Sequence, residues 1–381
     1  MNIYELSGQE NIKAILQKIE VTKEGMKILE EKAKCHLLYI KELKTPAANI
    51  LKQDALSIGA DLAVSSDTIT CKKDFTDALL IANDAQLKRL SKKELAQPFG
   101  LKAVAKKIEE FLSTQNFPVR LMGVLNANED SFFSKSRFEA KNALLRISQM
   151  IEDGADIIDI GGVSSRPGSL GVSDEEELQR VKPIIDVIYE HKLYEKAVFS
   201  LDSYSPLCLE YALQRGFSIV NDITALHNDE VAKVAAKYDA SVVLMHMQGN
   251  PQDMQKEPQY NDVLEEVDTF FAQRIEKAKS FGITKIILDV GIGFGKNLEH
   301  NLLLLKHHKH FEHFGYELLV GASRKSMIDT IVSASVEQRL PGTLAIHLKA
   351  LENGANIIRA HDVQEHYQAM KVFEKIDEVM F

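Results

Sequence analysis

Asp202, Asn221 and Asp289 each stand at the end of a short apolar run, in "FSLD", "IVN" and "IILD". A carboxylate accepts two parallel hydrogen bonds. It therefore suits the flat edge of a heterocycle with adjacent N–H donors, such as an aminopyrimidinone ring, and the charge-assisted pair is strong where water is excluded. The Asn221 amide both donates and accepts. A second set seeks anions: Arg166 in "SSRPGS", Ser323, Arg324 and Lys325 in "SRKS", and Arg359 and His361 in "IIRAH". Hydroxyls and cations at a helix start make a clamp for an anion or a planar ligand, and Lys325 can also meet a carbonyl or ring nitrogen. Each residue has a plain structural use as an ion pair, cap or loop residue. Their number is what favours a site.

Other chemistries lack their residues. There is no GxSxG elbow, no HExxH pair and no cysteine beside a base, which leaves catalysis by positioning and charge stabilisation, as in displacement of a phosphate-type leaving group. The histidine-rich "LKHHKHFEH" from residue 305 is read as the solvated end of a continuing helix rather than a metal centre.

These side chains need strands to hold them. From residue 120, apolar runs alternate with amphipathic stretches: "RLMGVLN", "DIIDIGG", "KAVFSLDS", "SIVNDI", "ASVVLMHM", "KIILDVGIG", "ELLVGAS" and "NIIRAH". Eight strand-helix units predict an α/β fold, a (β/α)8 TIM barrel over residues 118–381, in which chemistry gathers at the carboxyl ends of the strands. Every run ends polar: at Asn126, at Asp159, at Asp202, at Asn221 and Asp222, at Met245 and His246, at Asp289, at Ser323 to Lys325, and at Arg359 and His361. Alternation puts Ser200 with Asp202, Ile287 with Asp289, and Arg359 with His361 on common faces. An open doubly wound sheet is the rival, but "MGVLNANEDSF" is no dinucleotide loop.

Residues 1–117 read differently. Helical stretches "NIKAILQKIEVTKEGMKILEEKAK" and "LKAVAKKIEEFLSTQ" and a strand pair in "ADLAVSSDTITC" and "DALLIAN" predict a small N-terminal α/β accessory domain. A formal net charge of -9 argues against a nucleic-acid or anionic-membrane partner. Cys35, Cys71 and Cys208 are far apart, and no run has the length of a membrane span, so a cytoplasmic protein is expected.

From residue 120 onward the chain resembles the dihydropteroate synthase family of pterin-binding barrels, on "MGVLNANEDSF", "GADIIDIGGVSSRPGS", "LMHMQGNP", "GFGKN", "SRKSMI" and "IIRAHDV". The resemblance implies condensation of 6-hydroxymethyl-7,8-dihydropterin pyrophosphate with 4-aminobenzoate, with Mg2+ and a homodimer. It implies that Asp202, Asn221, Asp289 and Lys325 bind the pterin, with Met245 against the ring and Phe294 nearby, and Asp159 is a further expected substrate-binding residue. Asn126, as metal ligand, would hold the pyrophosphate with Arg359 and His361. Ser165, Arg166, Lys325 and Ser326 would surround the aminobenzoate, and Asp130 would serve in the first loop. Lys325, Arg359, Asp202 and Asp289 are the expected catalytic set. The first loop departs from the family pattern at Asn128, Glu129 and Ser134 to Ser136, from which altered loop dynamics with retained turnover are expected. A methyltransferase-type pterin or folate barrel and a non-catalytic pterin-binding protein are the alternatives.

Overall fold

A computed structural model describes residues 3–4, 6, 11–113, 115–127, 136–163, 172–249, 254 and 256–379, with the backbone alone for 136–141 and 377. The chain divides into two compact units, 1–114 with 374–381, and 115–373.

In the first unit the long helical stretch is two helices, α1 (Ile12–Lys18) and α2 (Lys23–Ala33), because Thr22 caps the second by accepting from Gly25 N at 3.3 Å. A strand not anticipated from the sequence follows, β1 (Cys35–Lys44), and then α3 (Thr45–Ser57), β2 (Asp61–Val64), β3 (Phe75–Asn83), α4 (Asp84–Glu94) and α5 (Leu101–Leu112). The strands form an antiparallel sheet in the order β1-β3-β2. Most of β1 is exposed or half-buried, so its sequence shows no clean burial signal. Leu51, Leu80, Leu87, Leu90 and Leu101 are fully buried at the centre of this unit.

The second unit is a closed parallel barrel. Its strands are β4 (Arg120–Asn126), β5 (Ile157–Gly161), β6 (Val198–Asp202), β7 (Ile219–Asp222), β8 (Ser241–Met245), β9 (Ile286–Asp289), β10 (Glu317–Val320) and β11 (Ile357–Ala360). Pairing of β11 with β4 and of β10 with β9 closes the ring. The helices between and after them are α6 (Ser136–Glu152), α7 (Asp174–Glu190), α8 (Pro206–Leu213), α9 (Asp229–Lys237), α10 (Val263–Ser280), α11 (Leu298–Lys306), α12 (Ser326–Ile331), α13 (Leu340–Glu352) and α14 (Val363–Glu378). The outward faces of the strands pack on these helices in one large apolar cluster. Met122, Ile157, Ile219, Val243, Ile287, Leu319 and Ile357 form a separate one. That inner cluster plugs the barrel below the site. No helix among the described residues is long and apolar enough to cross a membrane.

The histidine run departs from expectation. The helix ends at Lys306, and residues His308–Phe314 form a 3-10 turn in which His308 is fully buried. Phe311, also fully buried, draws this segment against the core and off the solvated path of a helix end.

Candidate active site

Side chains two residues apart on a strand share a face, so the residues above the apolar plug line the barrel interior. Two positions beyond Ile157, Ile219, Val243, Ile287 and Ile357 come Asp159, Asn221, Met245, Asp289 and Arg359. Asp202 lies beside Asn221 and Gly161 in the strand register. Thus the inside turns from apolar to polar within one step. Arg359 organises this layer: its Nε donates to Asp159 Oδ2 at 2.7 Å and its Nη2 to Asp202 Oδ2 at 2.8 Å. Asn221 Nδ2 donates to the same Asp159 oxygen at 3.0 Å. Asp159 is fully buried, and its Oδ1 and the neighbouring Ser200 Oγ are buried with no hydrogen-bond partner among the described residues.

Charges crowded in a water-poor pocket shift one another. Burial pushes the Asp202 carboxyl up to about 7 against the pull of Arg359, with Asp159, Glu177 and Asp222 adding to the rise. Asp289 is also raised by burial, offset by the Gly291 N–H at 2.7 Å and by Lys325, Arg359 and Lys296. Burial opposes the Arg359 charge, but Asp159 and Asp202 outweigh it and hold the guanidinium protonated. Burial and the repulsion of Arg359 lower Lys325 to about 8.

The two neighbouring cations of "SRKS" part company. Lys325 Nζ lies 4.1 Å from the centre of the Phe294 ring, a cation–π contact on the pocket side. Arg324 has a positive φ of 53° and turns away to grip Asp362 through two bonds of 2.9 and 2.7 Å. It is a structural ion pair, and the expected two-cation clamp is reduced to Lys325. Helix α12, which begins at Ser326, is only six residues long. Ser323 Oγ accepts from His361 N at 3.3 Å and lies 2.9 Å from His361 Nδ1.

A chain of neutral imidazoles supports this loop from behind. Ala322 N donates to His347 Nε2 at 3.1 Å, His347 Nδ1 lies 2.8 Å from His366 Nε2, and His366 Nδ1 lies 2.6 Å from the Asp362 carbonyl. The backbone N–H at one end and the carbonyl at the other fix every proton: His347 donates from Nδ1 and His366 from Nδ1. Burial lowers the pKa of both rings, in keeping with the neutral forms.

Lys296 was not singled out from the sequence, and it is the partner of His246 at the end of β8. Lys296 Nζ, almost fully buried, lies 2.9 Å from His246 Nδ1 and donates to the carbonyls of Gly291 at 3.0 Å, Phe294 at 2.9 Å and His246 at 3.2 Å. Burial lowers Lys296 to about 7 and His246 to about 2, the latter with help from the Lys296 charge. A Cβ on Gly291 would lie 2.0 Å from the His246 carbonyl oxygen, at a φ of 66°. The loop that carries Phe294 is thereby clamped to the end of β8. The only sequence sign was a lysine next to the glycines of "GFGKN".

Among the expected site residues, Asp159, Asp202, Asn221 and Arg359 are joined by direct hydrogen bonds, with Asp289, Lys325 and Phe294 in the same electrostatic neighbourhood. Met245 is buried and pairs in register with Asp289. Asn126 closes β4, and its amide oxygen would lie 3.4 Å from a Cβ on Gly161. Ser326 is exposed at the start of α12. Asp222 faces away and caps its own turn through Thr224 N and Leu226 N. Asp130, Ser165 and Arg166, with Asn128, Glu129, Ser134 and Lys135 of the first loop, lie outside the described residues.

The chain is similar to known proteins. The family model described as pterin binding enzyme matches residues 122–361. The chain is 42% identical to the bifunctional dihydropteroate synthase/dihydropteroate reductase of Helicobacter pylori, over 96% of this chain and 97% of that protein. It is 43% identical to the dihydropteroate synthase of Escherichia coli K12, over 67% of this chain and 90% of that one. The crystal structure of the Yersinia pestis dihydropteroate synthase with a sulfonamide drug superposes with a TM-score of 0.63 at 38% identity, covering 68% of this chain and 94% of that one. The Thermus thermophilus synthase in complex with 4-aminobenzoate gives 0.61 at 36% identity, over 68% and 95%. The chain thus belongs to the pterin-binding enzyme family, and within it to the dihydropteroate synthases.

Proposed function

We propose that the barrel pocket binds 6-hydroxymethyl-7,8-dihydropterin pyrophosphate and 4-aminobenzoate and joins them into 7,8-dihydropteroate, releasing pyrophosphate. The observation that carries this reading is the polar layer in which Asp159, Asp202 and Asn221 meet Arg359 at the strand ends. Asp202 and Asp289 accept from the N–H edge of the pterin, and the orphaned Asp159 Oδ1 and Ser200 Oγ offer further polar partners for a ligand in the same layer. Lys325, held over Phe294, meets the ring carbonyl or nitrogen, with Met245 beneath. By the family motifs, Arg359 and His361 hold the pyrophosphate, Ser165, Arg166 and Ser326 contact the aminobenzoate, and Asp130 serves in the first loop.

The donor set also fits Mg2+. That ion takes one or two protein oxygens and fills its other positions with water and substrate phosphate, and Asn126 presents one amide oxygen at the strand end. When bound, the ion would neutralise charge on the departing phosphate oxygens. The protein does the rest by placement. As the methylene C–O bond breaks, its electron pair leaves on the pyrophosphate, and the carboxylates Asp202 and Asp289 stabilise positive charge spread over the pterin. The arylamine lone pair then forms the C–N bond, and its proton passes to solvent or phosphate. No protein nucleophile enters. Cys208, the barrel's one cysteine, is buried and its thiol is pushed up to about 12.

Pyrophosphate release, measured with Mg2+ and the pterin pyrophosphate in the presence and absence of 4-aminobenzoate, tests the proposal. Release that requires the amine and yields dihydropteroate is expected; no product, or release without coupling, would overturn it. One observation favours a second activity: the Helicobacter relative, named as both synthase and reductase, aligns through the N-terminal unit as well. Reduction of dihydropteroate by a supplied reduced flavin or nicotinamide, lost when residues 1–117 are deleted, would support a role for that unit. We also propose a cytoplasmic homodimer, which light scattering on the purified chain checks.

A further inference from the structure

We propose that Asp268, His310 and His313 form a binding site for a borderline divalent cation such as Zn2+ or Ni2+, on the helical layer and apart from the pocket at the strand ends. Residues three apart on a 3-10 helix eclipse one another, so His310 and His313 project from one side of the His308–Phe314 turn. Both Nε2 atoms point at a single oxygen of Asp268 on α10, from 3.0 Å for His310 and 2.6 Å for His313. The three ligand atoms lie within 4.8 Å of one another.

The frame that holds them is rigid. Phe311 lies between the two histidines in sequence and Phe271 lies one turn beyond Asp268; both are fully buried and meet edge to face at 5.5 Å. That contact fixes the register of the 3-10 turn against α10. The His310 ring lies 5.1 Å from Phe311 and the His313 ring 4.0 Å from Phe314, which restrains both imidazoles. Ligands held by their own packing are the requirement for a preorganised site. The site opens to solvent, with side-chain exposures of 47%, 22% and 27% for His310, His313 and Asp268, so water can fill a fourth position.

In the metal-free form each Nε2 carries the proton shared with Asp268. A cation takes the place of those protons at Nε2, and each neutral imidazole then carries its one proton on Nδ1, relocated there through solvent. Nitrogen and oxygen ligands of a tetrahedral ion sit roughly 3.4 Å apart, so each ring moves out from Asp268 by less than about 1 Å while the two rings draw together from within 4.8 Å. Two imidazoles and one carboxylate select Zn2+, Ni2+ or Co2+ over Mg2+, which prefers oxygen alone. The site is therefore distinct in its ion from the pocket.

Titration of the full-length chain, free of any polyhistidine tag and in excess Mg2+, with Co2+ tests the assignment, followed by Zn2+ competition. The expected result is a visible d–d band that saturates at one Co2+ per chain. His310→Ala and Asp268→Asn should each weaken binding by roughly 100-fold. Zn2+ should raise the unfolding temperature of the parent chain and leave that of both variants unmoved. His310 is largely exposed and Asn is isosteric with Asp, so both variants should unfold normally without metal. Absence of the band, or binding and thermal stabilisation that both variants retain, would overturn the proposal.

Discussion

At the residue scale the pocket is governed by one guanidinium among acids. Arg359 bonds Asp159 and Asp202 together, so its removal strands two carboxylates in a buried layer. Loss of one partner of a buried pair costs about 3–5 kcal/mol, and Arg359→Ala should lose stability on that order in urea melts as well as all measurable pyrophosphate release. Its effect therefore reaches the pterin end and is not confined to the phosphate. The same crowding predicts a pH profile. Asp202, raised to about 7, holds a proton in the folded pocket that it lacks in the unfolded chain between the ordinary carboxylate range and about 7. Its contribution to stability thus falls as pH rises through that window, while its ability to grip a cationic or N–H-bearing ligand rises. Lys325, lowered to about 8, loses its charge above that pH. The kcat/KM of the condensation should climb toward pH 7 and decline beyond 8, and Lys325→Arg should remove the alkaline decline in whatever activity it retains. A flat profile across pH 6 to 9 would count against both assignments.

At the element scale two loops must stay in place around a polar cavity. The loop after β10 hangs from α13 and α14 by the imidazole chain that ends on Ala322 N. His347→Ala would leave a buried N–H without its acceptor, a loss of about 1–3 kcal/mol. The expected outcome is a lower unfolding temperature together with a higher KM for 4-aminobenzoate, because Lys325 is carried by that loop; His347→Gln, which can accept from Ala322, should recover part of both. The loop after β9 depends on backbone contact instead. Gly291→Ala would drive a Cβ into the His246 carbonyl at a left-handed φ. It should lower the unfolding temperature and pterin affinity, both readable by calorimetry with the bare pterin, whereas Gly282→Ala, at a positive φ but with no atom within 4 Å, should show strain alone.

At the scale of the whole molecule the family match, residues 122–361, lies within the barrel unit, and the first unit has a core of its own around Leu51, Leu80 and Leu87. The Escherichia coli synthase aligns to 67% of this chain across 90% of its own length, so the barrel matches nearly all of that relative. Residues 118–381 expressed alone should therefore retain amine-dependent pyrophosphate release within about tenfold of the full chain, roughly 1.4 kcal/mol in the barrier. A complete loss in a fragment that still shows the barrel's circular dichroism would make the first unit part of the condensing machinery.

Composition and periodicity alone determined the eight strand-helix units, the polar residue at each strand end and the faces shared by Ser200 with Asp202 and by Arg359 with His361, because alternation along a strand is local. The family motifs carried the chemistry, since an acid that ends a strand must lie at the barrel mouth. What required the tertiary structure was the partner of each charge. Arg324 and Lys325 are equivalent as letters, yet a positive φ and Asp362, far along the chain, send one to an ion pair and leave the other beside Phe294. The burial of Lys296, the proton order of His347 and His366, and the meeting of His310 and His313 with Asp268 likewise depend on contacts between distant segments, which no local pattern encodes.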